Sequence, residues 1–390
     1  MVLTVLIILT WVFIGLTAYT YVGYPVLLAV LQRFFTDKID SAPIEPMVSM
    51  VIPTFNEEDV IRRKIENSLS LDYPREKLEI LIIDDDSDDA TQAIIEAYAE
   101  QGVTLIRKPQ RSGKMESLQI GVQQAQGDII VMSDASPSYS EDAIRQLVQH
   151  FNDPTIGIVV GTLAVWDAEN AVAKPAGLYW RYEAAIRRWE SRLGSTVAMH
   201  GNLYAIRKPL FPKLAKSTIN DEWSITMRTV QAGYRVVYEP DAISYDDVSK
   251  KMDDEFRRRV RINAGRYQAF FGTQNLWPWN APMVIFEIIS HKFLRLILPF
   301  LMGGALIFNI LTVLLPDAPL YMGILLVLQL TFYGLALVGR LFETGKGYLR
   351  IANLAYYLTS SNIAAFFGFL RFMRNSQKVT WEKVEREVGG

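Results

Sequence analysis

Three kinds of stretch alternate along the chain: long runs without charge, short apolar runs rich in β-branched residues, and segments with apolar positions at helical spacing. Residues 1–32 contain no Asp, Glu, Lys or Arg. That suffices for a transmembrane helix, which needs about 20 residues per crossing, with a bend expected near Pro25. No basic segment precedes this run and no small-residue cleavage site follows it, so it reads as a retained anchor. Three more uncharged stretches, Leu296–Pro316, Ala318–Gly339 and Ile351–Leu370, lie toward the C-terminus. Asp317 alone separates the first two, which read as a helical hairpin broken at Pro316-Asp-Ala-Pro319.

Between these ends the pattern predicts strands at Val48–Pro53, Leu78–Ile83, Val103–Leu105, Asp128–Met132 and Ile156–Val160. Helices are predicted at Glu57–Leu69, Asp89–Ala97, Lys114–Gln124 and Ser140–Phe151. Strands alternating with helices imply an α/β domain. Glu255–Phe271, continuing to Trp277-Pro-Trp279, mixes Arg with aromatic residues, as helices lying in a membrane interface do. The expected organisation is an anchor (1–35), an α/β domain (46–250), interfacial helices (251–295), C-terminal transmembrane helices (296–371) and a basic polar tail (372–390).

Charge placement gives this layout a direction. Arg33 and Lys38 follow the first apolar run, and His291, Lys292 and Arg295 precede the second. The domain between is therefore expected on the cytoplasmic side of a multi-pass cell-membrane protein. Strict alternation then sends Arg371, Arg374, Lys378, Lys383 and Arg386 outward, against the charge bias. Either the last apolar run is re-entrant or interfacial, or the hairpin count differs. Composition agrees with partial residence in lipid, with 50% hydrophobic and 21% charged residues. With 40 Lys+Arg against 42 Asp+Glu, no global field recruits a polyanion, so nucleic acid is not an expected partner. The chain has no cysteine and three histidines, so its chemistry must rest on carboxylates, Lys, Arg and backbone.

Candidate chemistry sits at the strand ends. In a doubly wound sheet, ligands bind outside the carboxyl ends of the strands, which brings Thr54-Phe-Asn-Glu57 and Asp84-Asp-Asp86 to one crevice. Three adjacent carboxylates need cations or hydrogen-bond donors beside them. Lys114 follows Gly113 where a turn opens a helix, which suits either a phosphate or a solvated surface lysine. The strand Ile129–Ser133 runs into Asp134, which can either hold a hard divalent ion, Mg²⁺ or Mn²⁺, or cap the turn that follows.

Taken together and in order, these segments resemble a membrane-bound family 2 glycosyltransferase with a GT-A fold. The opening strand and turn of that family correspond to Val51-Ile-Pro53-Thr54-Phe55-Asn56-Glu57-Glu58, and its uridine segment to Ile83-Asp84-Asp85-Asp86-Ser87, with Asp86 where Gly is usual. Its basic turn corresponds to Ser112-Gly113-Lys114, and its metal motif to Asp134-Ala135-Ser136, with a hydroxyl where the second ligand stands. The acceptor-side segment corresponds to Ala198–Lys208, in which His200 and Asn202 replace more usual residues beside Gly201. The base motif is matched in part by Asp221-Glu222-Trp223, with Glu222 at the position of the base and Asp221 beside it. The processive signature would fall at Phe256–Val260, where Arg259 keeps the arginine but Gln and Trp are missing, so non-processive transfer is expected.

The resemblance implies an inverting transfer from a nucleotide-diphosphate sugar, with a UDP-sugar expected, to a lipid-linked or saccharide acceptor beside membrane lipids. Glu222 or Asp221 would take the acceptor proton. Asp134 and Ser136 with a divalent cation, together with Lys114, would stabilise the departing UDP. Pro53, Thr54, Asn56, Glu57, Asp84 and Asp85 would hold the nucleoside, His200, Gly201 and Asn202 would face the acceptor, and Arg259 would contact diphosphate. Trp180, Tyr182 and Trp189 could stack on sugar rings or pack a core. The alternative is a sugar-nucleotide-binding scaffold in which the changes at Asp86, Ser136 and Glu222 have removed turnover.

Overall fold

The computed structural model describes residues 1–165, 173–213, 218, 220–246, 252–272, 275–342 and 350–374. The basic tail from residue 375 lies outside them. Helix α1 (Val2–Ala18) passes through a π turn, Tyr19–Gly23, into α2 (Tyr24–Leu31), so the bend expected near Pro25 is a widened turn one step earlier. Pro25 cannot donate the usual backbone hydrogen bond, and the π turn absorbs the missing partner.

The α/β domain follows as β1 (Val48–Thr54), α3 (Ile61–Leu69), β2 (Leu78–Asp84), α4 (Thr91–Glu96), β3 (Val103–Arg107), α5 (Lys114–Gln124) and β4 (Ile129–Ser133). Next come β5 (Ser138–Tyr139), α6 (Ala143–Val148), β6 (Ile156–Val165), α7 (Ala173–Arg192), β7 (Leu203–Arg207), α8 (Asp221–Gln231) and β8 (Arg235–Asp246). All five predicted strands and all four predicted helices of this region are present, with ends shifted by a few residues. Helix α3 starts at Ile61 rather than Glu57 because the backbone before it turns to bond the β2 loop.

The strands form one mixed sheet of order β3-β2-β1-β4-β7-β6-β8-β5. β1 pairs parallel with both β2 and β4, while β7 runs antiparallel to β4 and β6. Every residue of β1 is buried, as a central parallel strand covered on both faces requires. One face packs Met50, Ile52 and Ile80 against Ile61, Ile65 and Leu147, and the other packs Val51, Leu81 and Ile83 against Leu118 and Val122. A methyl on Gly121 would lie 2.4 Å from the Val51 side chain, so glycine there lets α5 seat closely on the sheet. The carboxyl ends of β1, β2 and β4 consequently open at one edge, and α5 begins beside them.

After the sheet, α9 (Met252–Phe271) leads to α10 (Pro282–Glu287), which continues through a π turn, Ile288–Phe293, into α11 (Leu294–Val313). Helices α12 (Leu320–Leu341) and α13 (Arg350–Met373) complete the chain. Among the described residues three helices are long and apolar enough to cross a membrane: Val2–Leu31, Pro282–Val313 and Leu320–Leu341. The second apolar helix therefore begins at Pro282, not Leu296, and takes in residues expected to lie in the interface. The fourth expected span is not among the three. α13 carries Thr359, Ser360, Ser361 and Asn362 in mid-helix and packs along α9 and α12. Helix α1 packs on α11, where Phe13 and Phe308 meet edge to face at 5.3 Å and Gly304 admits the Phe13 ring.

Candidate active site

At the β1 end, Asn56 adopts a left-handed conformation (φ 52°) and locks onto the β2 loop. Its amide donates to Asp88 Oδ1 at 2.6 Å and its carbonyl oxygen accepts from the Asp88 N–H at 3.0 Å. The Glu57 N–H donates to Thr91 Oγ1 at 2.8 Å. Asp84, fully buried, accepts from the Ser87 N–H (3.0 Å), the Ser87 hydroxyl (2.5 Å) and Gln92 Nε2 (2.7 Å). The next carboxylate but one, Asp86, sits at φ 65°, which explains how it replaces glycine: Asp is among the side chains that tolerate this region.

Asp85 is engaged as completely. Its oxygens accept from Lys108 Nζ at 2.5 Å, the Ser112 N–H at 2.9 Å and the Gly113 N–H at 2.8 Å. The donors that three adjacent aspartates demand are thus largely supplied by the protein. Asp85 takes the amides just before α5 that could otherwise serve a phosphate, and so fixes the Gly113 turn against the β2 end. An open cleft of about 320 Å³ remains between Pro53, Thr54 and Phe55 on one side and Arg111, Gly113, Lys114 and Ser117 on the other, with Asp85 in its wall. The Arg111 guanidinium lies 3.7 Å over the Phe55 ring, a pair that the sequence reading missed.

Lys114, the first residue of α5, points toward the β4 end and donates to Asp134 Oδ1 at 2.6 Å. Burial alone would depress its ammonium, but Asp134, Asp221 and Glu222 hold it above its ordinary range. Asp221 and Glu222 form the first turn of α8, which Asn220 caps by accepting from the Trp223 N–H at 3.2 Å. The Glu222 carboxylate of α8 and the Asp134-bound Lys114 ammonium meet at Gly201, just before β7. A methyl on Gly201 would lie 2.7 Å from Glu222 Oε1 and 3.2 Å from Lys114 Nζ. Burial, with the neighbouring charge of Asp221, pushes the Glu222 carboxyl up to about 8, against the opposing pull of Lys114.

Ser136 and Asn202 meet around a residue the sequence reading did not single out. Asp246, at the end of β8, accepts from Ser136 Oγ at 3.2 Å and from Asn202 Nδ2 at 2.8 Å. Both Asp134 and Asp246 act on the buried ammonium of Lys64, so the two carboxylates belong to one neighbourhood. The signal was available, since a strand running into an acid pair at Tyr245-Asp246-Asp247 is the pattern that marked Asp134. Among the described residues no group of three or more His, Asp or Glu side chains is placed to hold a metal ion. Asp134, Asp246 and the Ser136 hydroxyl are hard oxygen donors, a set that fits Mg²⁺ or Mn²⁺ when substrate phosphates complete the shell.

Other predicted residues point elsewhere. His200 turns from Glu222, with Nε2 donating to the Gly161 carbonyl at 3.0 Å and its ring edge-on to Trp180. Burial and the Arg187 charge push its pKa down to about 3, so the imidazole is neutral. Arg259 donates to the Tyr357 hydroxyl at 2.5 Å and to Ser361 on α13. Two positions on, Arg261 lies within the field of Glu222, Asp221 and Asp134. Trp180 stays near the site, whereas Tyr182 bonds the Tyr21 carbonyl at 2.9 Å and Trp189 packs with Tyr24 and Leu28.

Comparison with known proteins places the chain among glycosyltransferases. Residues 49–214 match the family described as Glycosyl transferase family 2. A Bacillus subtilis (strain 168) protein named "Probable glycosyltransferase YdaM" is 26% identical over 370 residues, 87% of each chain. The poly-beta-1,6-N-acetyl-D-glucosamine synthase of Staphylococcus aureus (strain MSSA476) is 25% identical over 265 residues, 65% of this chain and 64% of that one. The mannosyltransferase PcManGT from Pyrobaculum calidifontis, solved with GDP-Man and Mn²⁺, superposes over 95% of this chain and 100% of its own with a TM-score of 0.72, at 23% identity. That identity speaks to the fold alone. Residues 49–214 therefore form a Glycosyl transferase family 2 domain on a mixed sheet of GT-A type, and the chain is a glycosyltransferase.

Proposed function

We propose that the chain moves a sugar with inversion from a UDP-sugar to a hydroxyl of a lipid-linked or saccharide acceptor, non-processively, at the cytoplasmic face of the membrane. The observation that carries this reading is the convergence of Glu222 Oε1 and Lys114 Nζ on Gly201, with Asp134 bound to Lys114. In one displacement the acceptor oxygen bonds the anomeric carbon, the bond from that carbon to the β-phosphate oxygen breaks, and the acceptor proton passes to Glu222. A carboxylate held near 8 is matched to that task, because a base works best near the operating pH.

The nucleoside lies in the cleft lined by Thr54, Phe55, Arg111 and Ser117, where a flat base stacks on the Phe55 ring once the Arg111 guanidinium, which covers that ring in this structure, swings aside. Lys114 turns from Asp134 toward the diphosphate as negative charge builds there. Asp134 and Asp246, with Ser136, would hold a divalent cation, and that ion supplies charge neutralisation at the diphosphate. Arg261, rather than Arg259, faces the leaving group in this reading. The cytoplasmic placement rests on the Lys and Arg residues flanking the apolar helices.

Detergent-purified protein incubated with a panel of UDP- and GDP-sugars, with Mg²⁺ or Mn²⁺, and scored by nucleotide release tests the proposal. UDP release is expected, abolished by Asp134→Ala and by Glu222→Gln and little changed by Arg257→Ala. Unaltered release by Glu222→Gln would overturn the assignment of the base.

A further inference from the structure

Between the transfer site and the base of the membrane helices lies a group of cations that the reaction above does not use. Arg187 on α7 is 4% exposed, yet among the described residues it forms no ion pair, and its Nε–H has no hydrogen-bond partner. Its guanidinium has the Trp180 and Tyr238 rings at 5.7 and 6.0 Å instead. An enclosed guanidinium with no anion is costly, and cation–π contacts at such distances offset little of that cost.

Arg187 is not isolated. Lys292 at the base of the apolar helix has Arg187, Arg266 and Arg295 as electrostatic neighbours, with Glu183 the acid of the group. Glu183 is already taken by Arg295 and His291, and Glu190 by Tyr24, Thr196 and His291. Neither Arg266 nor Lys292 forms an ion pair among the described residues, and both are half-buried, so the group opens to the outside. Arg295 also keeps Nε and one Nη without a partner. The neutral His200 lies within the field of Arg187 and Lys292, its Nδ1 unpartnered, and it precedes the glycine under Glu222. The cationic group therefore adjoins the acceptor side of the site.

Cations gathered around unfilled donors are a site for a multivalent oxyanion, and Arg in particular offers the paired N–H geometry that phosphate takes. Lys292 and Arg295 belong to a helix fit to span the bilayer, and a lipid's phosphate sits at that depth, where chain meets water. We infer that Arg187, Arg266 and Lys292 seat the phosphate of a lipid-borne acceptor, whose hydroxyl is thereby presented to Glu222. The inference rests on the transfer reading above and narrows its acceptor to a phosphate-bearing lipid.

The test is direct binding to the full-length chain in maltoside micelles, with radiolabelled farnesyl phosphate, farnesol and inorganic phosphate as probes. Farnesyl phosphate is expected to bind at least about tenfold tighter than farnesol, the value of one charge-assisted hydrogen bond. Arg187→Gln and Lys292→Gln should each lose about that factor for the phosphate while farnesol and UDP bind as before. UDP binding and the melting temperature report folding; if Arg187→Gln unfolds, Lys292→Gln and Arg266→Gln decide the question. Equal binding of farnesyl phosphate and farnesol, or unchanged binding in these variants, overturns the inference. Inorganic phosphate binding as tightly as farnesyl phosphate, with the same variant dependence, overturns the lipid source. Donor hydrolysis without acceptor is read in parallel: its absence strikes the transfer reading, and loss of phosphate binding alone strikes only this one.

Discussion

Glu222 holds a proton at neutral pH that the unfolded chain has already released, because burial and Asp221 raise its folded pKa to about 8. Stability from this group is present at low pH and is lost as pH rises from the ordinary Glu range toward 8. Glu222→Gln removes that penalty, so the variant should melt higher than wild type at pH 8 while the difference shrinks toward pH 4, a contrast readable by thermal denaturation in detergent. Gly201→Ala makes the opposite trade. Its methyl would displace Glu222 Oε1 and Lys114 Nζ, and since the backbone at Gly201 is not left-handed, the fold should survive while turnover drops about 100-fold. The sequence marked the carboxylates of this site through their strand-end positions. It could not show that Asp84 and Asp85 spend their oxygens on the protein, because Ser87, Gln92, Lys108 and Ser112 become donors only once the loops close.

Elements set the distances among these groups. The Gly113 turn has φ 92° and ψ 168°, a region reached essentially by glycine alone, and Asp85 holds it there. Gly113→Ala should therefore cost about 1–3 kcal/mol in unfolding and weaken UDP binding, although open space surrounds the new methyl. Asp85→Asn would strand the buried Lys108 ammonium and should cost more, about 3–5 kcal/mol, with weaker UDP binding as well, read by thermal denaturation and titration calorimetry. The strands were legible because β1 and β4 are buried throughout and β2 at all but Glu79, so that they read as short, mostly apolar runs. Register beyond β4 was less so: β7 enters antiparallel between β4 and β6, and Asp246 comes to Ser136 because β8 also pairs with β5, setting Tyr245 opposite Ser138. The arginine-rich segment shows the same limit. On α9 the two-residue step from Arg259 to Arg261 turns about 200° around the helix, sending one toward α13 and the other toward the carboxylates.

Across the whole molecule, buried polar bonds join the apolar helices to the α/β domain. Tyr24 donates to Glu190 at 2.7 Å, His291 Nδ1 lies 2.6 Å from the same oxygen, and Thr196 donates to its other oxygen at 2.7 Å. Glu190→Leu would leave all three partners unsatisfied and should destabilise the chain by about 3–5 kcal/mol, seen as a lower melting temperature in detergent. Hydropathy found the three long apolar helices but started the second at Leu296. Glu287, His291, Lys292 and Arg295 broke the pattern there, and pairing with Glu183 and Glu190 of α7 is what allows His291 and Arg295 inside a continuous helix. The polar face of α13 explains why the fourth stretch does not join the three: Asn362 donates to Tyr21 and Ser361 meets Arg259.

The central claim is that Glu222, tuned by Asp221, removes the acceptor proton. The most direct measurement is kcat/KM for UDP-sugar transfer against pH in wild type and Asp221→Asn. The account predicts a rate that rises with pH through about 8 in wild type, as the carboxyl loses its proton, and an acidic limb at lower pH in the variant, where the neighbouring negative charge is gone. A limb that stays in place on replacing Asp221, or a rate independent of pH across this range, would contradict it.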